Sequence, residues 1–292
     1  MAVTITAAEV KKLRDATGAG MMECKAALVE ANGDFEEANT ILRKRGLASA
    51  AKKAGRATGE GLIGRWTSDD HRDGILVEVN CETDFVARTE DFLKLIEDVI
   101  SLIKGAGEAA NDAWLKDSAG PVQQRVAAAI AKVGENMAVA RFVRYAGQGY
   151  VSQYIHLGGK LGVQVEFGGV TPEVASREEF TALVKEVAMQ IAAASPTYAA
   201  RADVPADILD KEKAIYRAQM ENSGKPANVI EKIVEGKLGA FYEQVVLVDQ
   251  QFVIRPEAKQ TVAQAVAAVN KAIGGAVTIT RFARLKVGEA AQ

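Results

Sequence analysis

The sequence is poor in the residues that most metal and disulfide sites require. Its 292 residues include two cysteines, Cys24 and Cys81, and two histidines, His71 and His156. These four residues lack zinc-binding spacing, and two cysteines cannot build the disulfide framework of a small secreted fold. We therefore expect two buried, inert thiols in a reducing compartment, with no metal site and no cofactor.

Long apolar runs and a large excess of charge are also absent. No apolar run approaches the roughly 20 residues that span a membrane, and the N-terminus resembles neither a secretory signal nor a transit segment. The formal net charge is −2, whereas proteins that mainly bind nucleic acid usually have a basic excess. The sequence predicts a cytoplasmic protein that starts at or near Met1 and binds neither membranes nor nucleic acid directly.

Residues 1–47 are predicted to form a small module of three helices. Capping patterns begin the first and third helices, and glycines are expected at or just past the helix ends. The residues concerned are Thr6 and Glu9, Asp34 and Glu37, and Gly18, Gly33 and Gly46. So short a module has a small core, so part of its apolar surface is available to a partner.

Two adjacent methionines, Met21 and Met22, lie near the start of the second helix. Neighbouring side chains on a helix point about 100° apart, so one of the two is expected to be exposed. Methionine is frequent in adaptable contact surfaces. Two interpretations remain open: one core and one incidental methionine, or a contact surface.

The rest of the chain predicts two consecutive β-β-α…β units, each with helices on one face of an antiparallel sheet. A small, basic linker, residues 48–58, leads into the first unit, 59–146, and the second unit is 147–292. A helical hairpin at about 205–242, with a tight turn at Gly224-Lys225-Pro226, interrupts the second unit. It is expected to protrude as an arm, because little apolar surface remains to cover it. The predicted fold class is α+β.

Residues 59–64 match the G-x-G-x-x-G pattern of dinucleotide sites. Such a site needs a strand before the glycines and a helix after them, so that the helix N-terminus meets the pyrophosphate. Here a linker precedes the glycines and a strand is predicted after them. We therefore exclude a dinucleotide site.

Residues 75–81 alternate as in a half-buried strand. Thr83 and Asp84 are turn or helix-cap residues, and Phe85 and Val86 follow them on a strand-to-helix connection. A large ring in this position is either a plug for the core, where such residues are usually found, or a wedge that enters a partner. The stretch alone leaves both interpretations open.

His156 is predicted at the tip of the second hairpin, where Gly158 and Gly159 allow a turn with positive φ. The chain has no nucleophile–base pair, carboxylate pair or metal cluster at a usable spacing. We therefore do not expect an enzyme, and the edge around Ile155–Leu157 is expected to meet another protein.

Three blocks of the sequence resemble the bacterial elongation factor Ts family, in the same order. They are LRDATGAGMMECKAAL at 13–28, EVNCETDFVA at 78–87 and HLGGKLG at 156–162. The resemblance covers essentially the whole chain. It implies a three-helix module like a ubiquitin-associated (UBA) fold, a two-part core and a coiled-coil arm. It also implies a factor that exchanges GDP for GTP on the GTPase elongation factor Tu.

The family motif that enters the GTPase near its bound Mg²⁺ corresponds to Thr83, Asp84, Phe85 and Val86. The resemblance therefore favours the wedge for Phe85 and implies that the motif disturbs the Mg²⁺ and phosphate site. One carboxylate is a poor Mg²⁺ site by itself. Asp84 is expected to orient the loop or to bond backbone of the partner.

The resemblance implies two further contacts with elongation factor Tu. Met21 and Met22 match a pair that touches the same GTPase domain, whereas His156, Leu157 and Gly158 lie where the core meets another domain. The alternative function is an adaptor that binds a GTPase or another protein without exchange.

The arm and the C-terminus leave the contacts of the protein partly open. The arm can bind elongation factor Tu or join two copies of the chain as a homodimer. The sequence stops soon after Glu289, whereas some family members continue into a C-terminal helix that contacts the partner. We expect that contact to be missing or replaced.

Overall fold

The computed structural model describes residues 4–220 and 226–289. Its N-terminal module has the three expected helices: α1 (Ala7–Thr17), α2 (Met21–Glu30) and α3 (Phe35–Lys53). Thr6 and Glu9 form the predicted capping box. The small core of this module is built around Leu13, Cys24 and Leu28.

The first β-β-α…β unit is a three-stranded antiparallel sheet in the order β1-β2-β3. Two long helices cover one face of this sheet and two short helices lie in the connections. The elements are β1 (Glu60–Thr67), β2 (Asp73–Cys81), α4 (Asp84–Ala87), α5 (Glu90–Ala106), α6 (Asp112–Lys116), α7 (Pro121–Val133) and β3 (Met137–Ala146).

The second unit has a second antiparallel sheet in the order β4-β5-β6, with the helical hairpin inserted after its first long helix. Its elements are β4 (Tyr150–His156), β5 (Leu161–Gly168), α8 (Pro172–Ala175), α9 (Glu178–Ala194), α10 (Ala206–Met220), α11 (Ala227–Val245), α12 (Val262–Ile273) and β6 (Thr278–Lys286). The α+β class is confirmed.

The two units repeat each other down to an irregularity of the sheet. In each sheet the pairing of the central and third strands shifts by one residue immediately after a buried glutamate, Glu78 in β2 and Glu166 in β5, with the extra residue, a β-bulge, on the third strand. Each glutamate pairs with an arginine on the third strand: Glu78 with Arg141 at 2.8 Å and Glu166 with Arg281 at 2.6 Å. The two units therefore share the order of elements that the sequence predicted and also the position of the bulge and of the ion pair beside it.

The central strand β2 is buried on both faces, so the prediction of a half-buried strand was wrong. Ile75, Val77 and Val79 pack under the helices of the first unit. On the other face, Leu76 packs with Ile63 and with Leu285 of β6 in a separate small cluster. The two sheets thus pack face to face with helices outside them, which the alternation of residue types along one strand does not reveal.

The third helix is longer than predicted. Gly46, expected past its end, is buried within α3. A Cβ at Gly46 would lie 3.6 Å from the Ala127 carbonyl oxygen and 3.7 Å from the Ala131 Cβ. The glycine therefore allows α3 to pack closely on α7, and helix occupies the first part of the expected 48–58 linker.

The helical hairpin, α10 and α11, forms as predicted. Arg217 and Glu231 bridge its two helices, with 2.7 Å between Arg217 Nε and Glu231 Oε1. Apolar side chains remain on its surface: Ile215 is 48% exposed and Val229 is 37% exposed. Of the predicted turn, Gly224 and Lys225 lie outside the described residues, and Pro226 precedes α11 as its N-cap.

The remaining sequence features lie in ordinary structural positions. Residues 60–64 of the glycine-rich stretch lie within the strand β1, which continues to Thr67, where a dinucleotide site would need a helix. Across residues 4–220 and 226–289, no helix is long and apolar enough to cross a bilayer. The same residues contain no group of three or more His, Cys, Asp or Glu side chains that could hold a metal ion.

Candidate functional site

The ring of Phe85 is presented to solvent at the edge of the first unit. Phe85 lies in the four-residue helix α4 and is 80% exposed. Its neighbours Val86 and Ala87 pack against the core of the unit. The core-plug interpretation of Phe85 is therefore wrong, because the short helix uses the residues after the ring as its anchor.

The backbone of this short helix is fixed by Thr83. The Thr83 hydroxyl oxygen accepts the backbone N–H of Val86 at 3.3 Å, which caps the helix. The same hydroxyl donates to Glu135 Oε1 at 2.7 Å, and the Thr83 backbone N–H donates to Glu135 Oε2 at 3.0 Å. The Cys81 thiol donates to the Thr83 carbonyl oxygen at 3.1 Å. Every polar group of Thr83 is thereby bonded within the protein.

Glu135 lies in the turn before β3 and bonds the turn before α4. A second carboxylate, Glu82, lies in the turn before α4 and bonds the turn before β3. Glu82 Oε1 accepts the backbone N–H of Asn136 at 2.6 Å, and this hydrogen bond lowers the pKa of Glu82. The Asn136 side chain in turn donates to the Arg56 carbonyl oxygen at 2.8 Å. The turn before α4 and the turn before β3 therefore hold each other through reciprocal hydrogen bonds.

Asp84 has an exposed partner within the chain. Its Oδ2 lies 2.9 Å from Arg88 Nη2, an ion pair between residues four apart. Both side chains are substantially exposed, so this pair contributes little to stability. The carboxylate remains accessible on the same surface as the Phe85 ring.

Both methionines of the N-terminal module are exposed. Met21 is 44% exposed and Met22 is 76% exposed, whereas the sequence led us to expect only one. Because α2 begins at Met21, both side chains lie in its first turn, beyond the small core of the module. The interpretation with one core methionine is therefore wrong.

The module is connected to the end of the core that carries Phe85. Lys132 Nζ binds Asp91 Oδ1 at 2.6 Å, and the Lys132 side chain also passes within 4 Å of the Cβ position of Gly18. Asp91 lies in the first turn of α5, which begins directly after α4. Lys132 thus joins the turn that leads into Met21 to the first turn of α5, the helix that follows the Phe85 helix in the chain.

The tip of the second hairpin also lies near this end. His156 and Leu157 are exposed, Leu157 by 64%, and Leu157 and Gly158 have φ of 52° and 62°. Behind the tip, Lys160 Nζ donates to the Gly61 carbonyl oxygen at 2.9 Å.

Strand β1 links this tip to the Phe85 helix. Glu60, next to Gly61 in β1, pairs with Cys81, and Cys81 precedes the Thr83 cap by two residues. The structure therefore brings residues 83–86 and 156–158 to the same end of β1, although about 70 residues separate them in the chain.

Two contacts at this site were not found in the sequence. Glu135 reaches Thr83 across 52 residues of chain, and no local pattern marks such a contact. The Tyr154 hydroxyl lies 2.7 Å from His156 Nδ1. These residues are two apart on one strand, so the alternation of strand side chains could have indicated that they lie on the same face.

The thiol of Cys81 lies at the base of the Phe85 helix and is expected to be unreactive. Burial, followed by the nearby Glu135 carboxylate, raises its pKa from 9.0 to about 11. Only the thiolate reacts, so a shift of this size lowers the reactive fraction about 100-fold at pH 8. Burial also raises the pKa of Cys24.

We therefore expect both thiols to react slowly with a disulfide reagent in the native protein and rapidly in urea. The measurement is the time course at pH 8 of the thiol that the reagent releases when a cysteine attacks it. Rapid modification of either cysteine in the native protein would contradict the buried positions.

Comparison with known proteins gives a consistent result along the chain. A family model described as Elongation factor TS matches residues 82–289. Proteins named Elongation factor Ts from Trichlorobacter lovleyi and Symbiobacterium thermophilum are 44% and 45% identical over 98% of this chain, and the alignments cover 94% and 92% of those proteins. One from Aquifex aeolicus is 44% identical, with 99% of each chain covered.

Proposed function

The chain belongs to the elongation factor Ts family of translation factors, and from this premise we propose that it binds elongation factor Tu·GDP and accelerates the release of GDP. GTP then occupies the vacated site. Exchange of a bound nucleotide makes and breaks no covalent bond, so the proposed activity is not that of an enzyme with a chemical substrate. Translation takes place in the cytoplasm, which is where this proposal places the protein.

The observation that carries the proposal is the exposed ring of Phe85, which lies on a short helix whose cap, Thr83, has all its polar groups hydrogen-bonded within the protein. Exposure of a large aromatic side chain is unfavourable in the isolated chain. Burial of such a side chain in a partner contributes about 1.5–3 kcal/mol. The Phe85 helix has its capping and anchoring contacts already formed, so little ordering is required when the ring is buried.

The proposed mechanism is displacement of the structure that supports the metal of the GTPase. A GTPase holds GDP through backbone N–H contacts to the phosphates and through Mg²⁺. Insertion of Phe85 beside this site favours a conformation with poorer phosphate and metal contacts. Linkage requires that nucleotide weaken the binding of the factor by the same ratio, so GTP binding releases the factor. Asp84, exposed beside the ring, is proposed to bond partner backbone.

Two surfaces are proposed to hold the partner while the ring acts. Met21 and Met22 offer exposed, adaptable side chains on the module. His156, Leu157 and Gly158 form the exposed hairpin tip. Their position at the end of the core that carries Phe85 supports contact with a single partner.

The module surface can be tested through Met22, the more exposed methionine. We expect Met22→Ala to raise the concentration needed for half-maximal acceleration by about three- to tenfold, because apolar burial is lost. The rate at saturating factor should stay the same, since this contact is equally present before and during GDP release. A lowered saturating rate would instead assign Met22 to the exchange step.

The arm is proposed to contact either elongation factor Tu or a second copy of the chain. Ile215 and Val229 are the exposed apolar side chains that support this role. Sedimentation equilibrium separates the two, because a homodimer has twice the 31.0 kDa mass of the chain. A monomer that binds elongation factor Tu more weakly after Ile215→Ser would assign the arm to the GTPase.

The direct test follows fluorescent GDP as it leaves elongation factor Tu in the presence of excess unlabelled nucleotide. We expect the wild-type chain to accelerate release at micromolar concentrations or below. The alternative function, an adaptor without exchange activity, predicts binding whose affinity is the same with and without GDP. A titration of the two proteins in both conditions decides between these functions.

A further inference from the structure

Glu135 makes contacts that point to a specific role beside the ring. We propose that Glu135 is the positioning residue that holds Phe85 in the orientation used for exchange, an inference that rests on the proposed function. Its carboxylate accepts the Thr83 backbone N–H at 3.0 Å and the Thr83 hydroxyl at 2.7 Å. Hydrogen bonds to an ionised carboxylate are among the stronger ones in proteins.

The two hydrogen bonds determine how the hydroxyl of Thr83 acts. A hydroxyl has one proton to donate and lone pairs with which to accept. Because the proton is donated to Glu135, a lone pair faces the N–H of Val86, which it caps at 3.3 Å. The carboxylate thereby orients the cap of the helix that carries the ring, without touching the ring itself.

The second unit of the chain provides a natural comparison. There Thr171 caps α8 by accepting the N–H of Val174 at 3.3 Å, in the same way as Thr83 caps α4. The second residue after the cap is Phe85 in the first unit and Glu173 in the second. The same short helix is thus present without an exposed ring.

The second unit has no carboxylate in the turn that corresponds to the one with Glu135. Glu135 lies in the turn between α7 and β3, and the corresponding turn between α12 and β6, residues 274–277, has the sequence Gly-Gly-Ala-Val. The capped helix therefore forms in the second unit without any acid in this turn. There the acid on the cap is local, since a hydrogen bond from the Thr171 side chain lowers the pKa of Glu173. In the first unit Phe85 occupies that position, and the carboxylate that bonds the cap comes from the distant Glu135.

The experiment measures GDP release from elongation factor Tu with Glu135→Ala, Glu135→Gln, Phe85→Ala and the double variant Glu135→Ala/Phe85→Ala. We expect Glu135→Ala to lower the acceleration about tenfold, because two charge-assisted hydrogen bonds that order the helix are lost. Glu135→Gln should remain within about threefold of wild type. Its amide oxygen can accept the Thr83 N–H, and its amide nitrogen can donate to the hydroxyl.

The double variant separates positioning from a general structural effect. If Glu135 acts through the ring, Glu135→Ala should change little once Phe85 is alanine, so the two losses are not additive. Asp98→Ala is the matched control, since Asp98 binds Arg125 at 2.8 Å in the same unit without contacting Thr83. It should leave exchange at the wild-type level. Additive losses, or a Glu135→Gln variant as inactive as Glu135→Ala, would overturn the inference.

Amide hydrogen exchange of the free protein provides a second measurement that does not need the GTPase. Glu135→Ala should speed the exchange of the Thr83 and Val86 amides about tenfold, whereas Glu135→Gln should not. Unchanged protection at both amides in Glu135→Ala shows that Glu135 does not hold the helix. Inactivity of the wild-type chain toward elongation factor Tu would reject the proposed function separately, with the hydrogen-exchange result still deciding what Glu135 holds.

Discussion

Replacement of Phe85 by alanine is expected to lower the acceleration of GDP release by about 10- to 100-fold, the loss that corresponds to about 1.5–3 kcal/mol of aromatic burial. The stability of the free protein should hardly change, because the ring is 80% exposed and its neighbours carry the core contacts. Stopped-flow release of fluorescent GDP measures the first quantity and urea denaturation the second.

The chain contains a matched control for this substitution. Glu173 occupies the position of Phe85 in the second copy of the capped helix and is exposed. Glu173→Ala should leave GDP release at the wild-type rate. If Phe85→Ala accelerates release as well as wild type does, the ring has no part in exchange and the mechanism proposed above is wrong.

The largest expected effect on stability is that of Glu78→Ala. Glu78 is 2% exposed and accepts three hydrogen bonds, from Arg141 Nε at 2.8 Å, Asn80 Nδ2 at 3.2 Å and the Gly288 backbone N–H at 2.9 Å. It therefore joins β2 both to β3 and to the residues after β6. Alanine leaves the Arg141 guanidinium largely buried without its carboxylate, which costs about 3–5 kcal/mol.

The corresponding pair in the second unit serves as the comparison. Glu166 is also buried, but the side chain of its partner Arg281 is 45% exposed and can be solvated when the carboxylate is removed. Glu166→Ala should therefore destabilise the protein less than Glu78→Ala. The free energies of unfolding from urea denaturation test this order, and an equal loss in the two variants would show that solvation of the arginine does not govern the difference.

The sequence predicted most of the elements because their signals are local. Capping residues marked the start of α1, alternating residues marked β2, and the order of elements indicated a repeated unit. The resemblance of residues 83–86 to a family motif indicated the ring, which the stretch alone left as either a core plug or a wedge.

The features that the sequence did not predict depend on packing between distant segments. β2 is buried on both faces because a second sheet covers the face of Leu76, and the pattern of one strand does not show what lies opposite. Gly46 resembled a helix end, yet it is the point where α3 approaches α7. Glu135 meets Thr83 only because β2 and β3 are paired so that both turns lie at one end of the sheet.

The repeat of the two units also affects recognition. A core made of two similar halves presents two similar capped helices, α4 and α8. The aromatic side chain is present in one half, and an acidic side chain takes its place in the other. This difference gives the core a polarity, so the binding proposed above would use the ring of one half only.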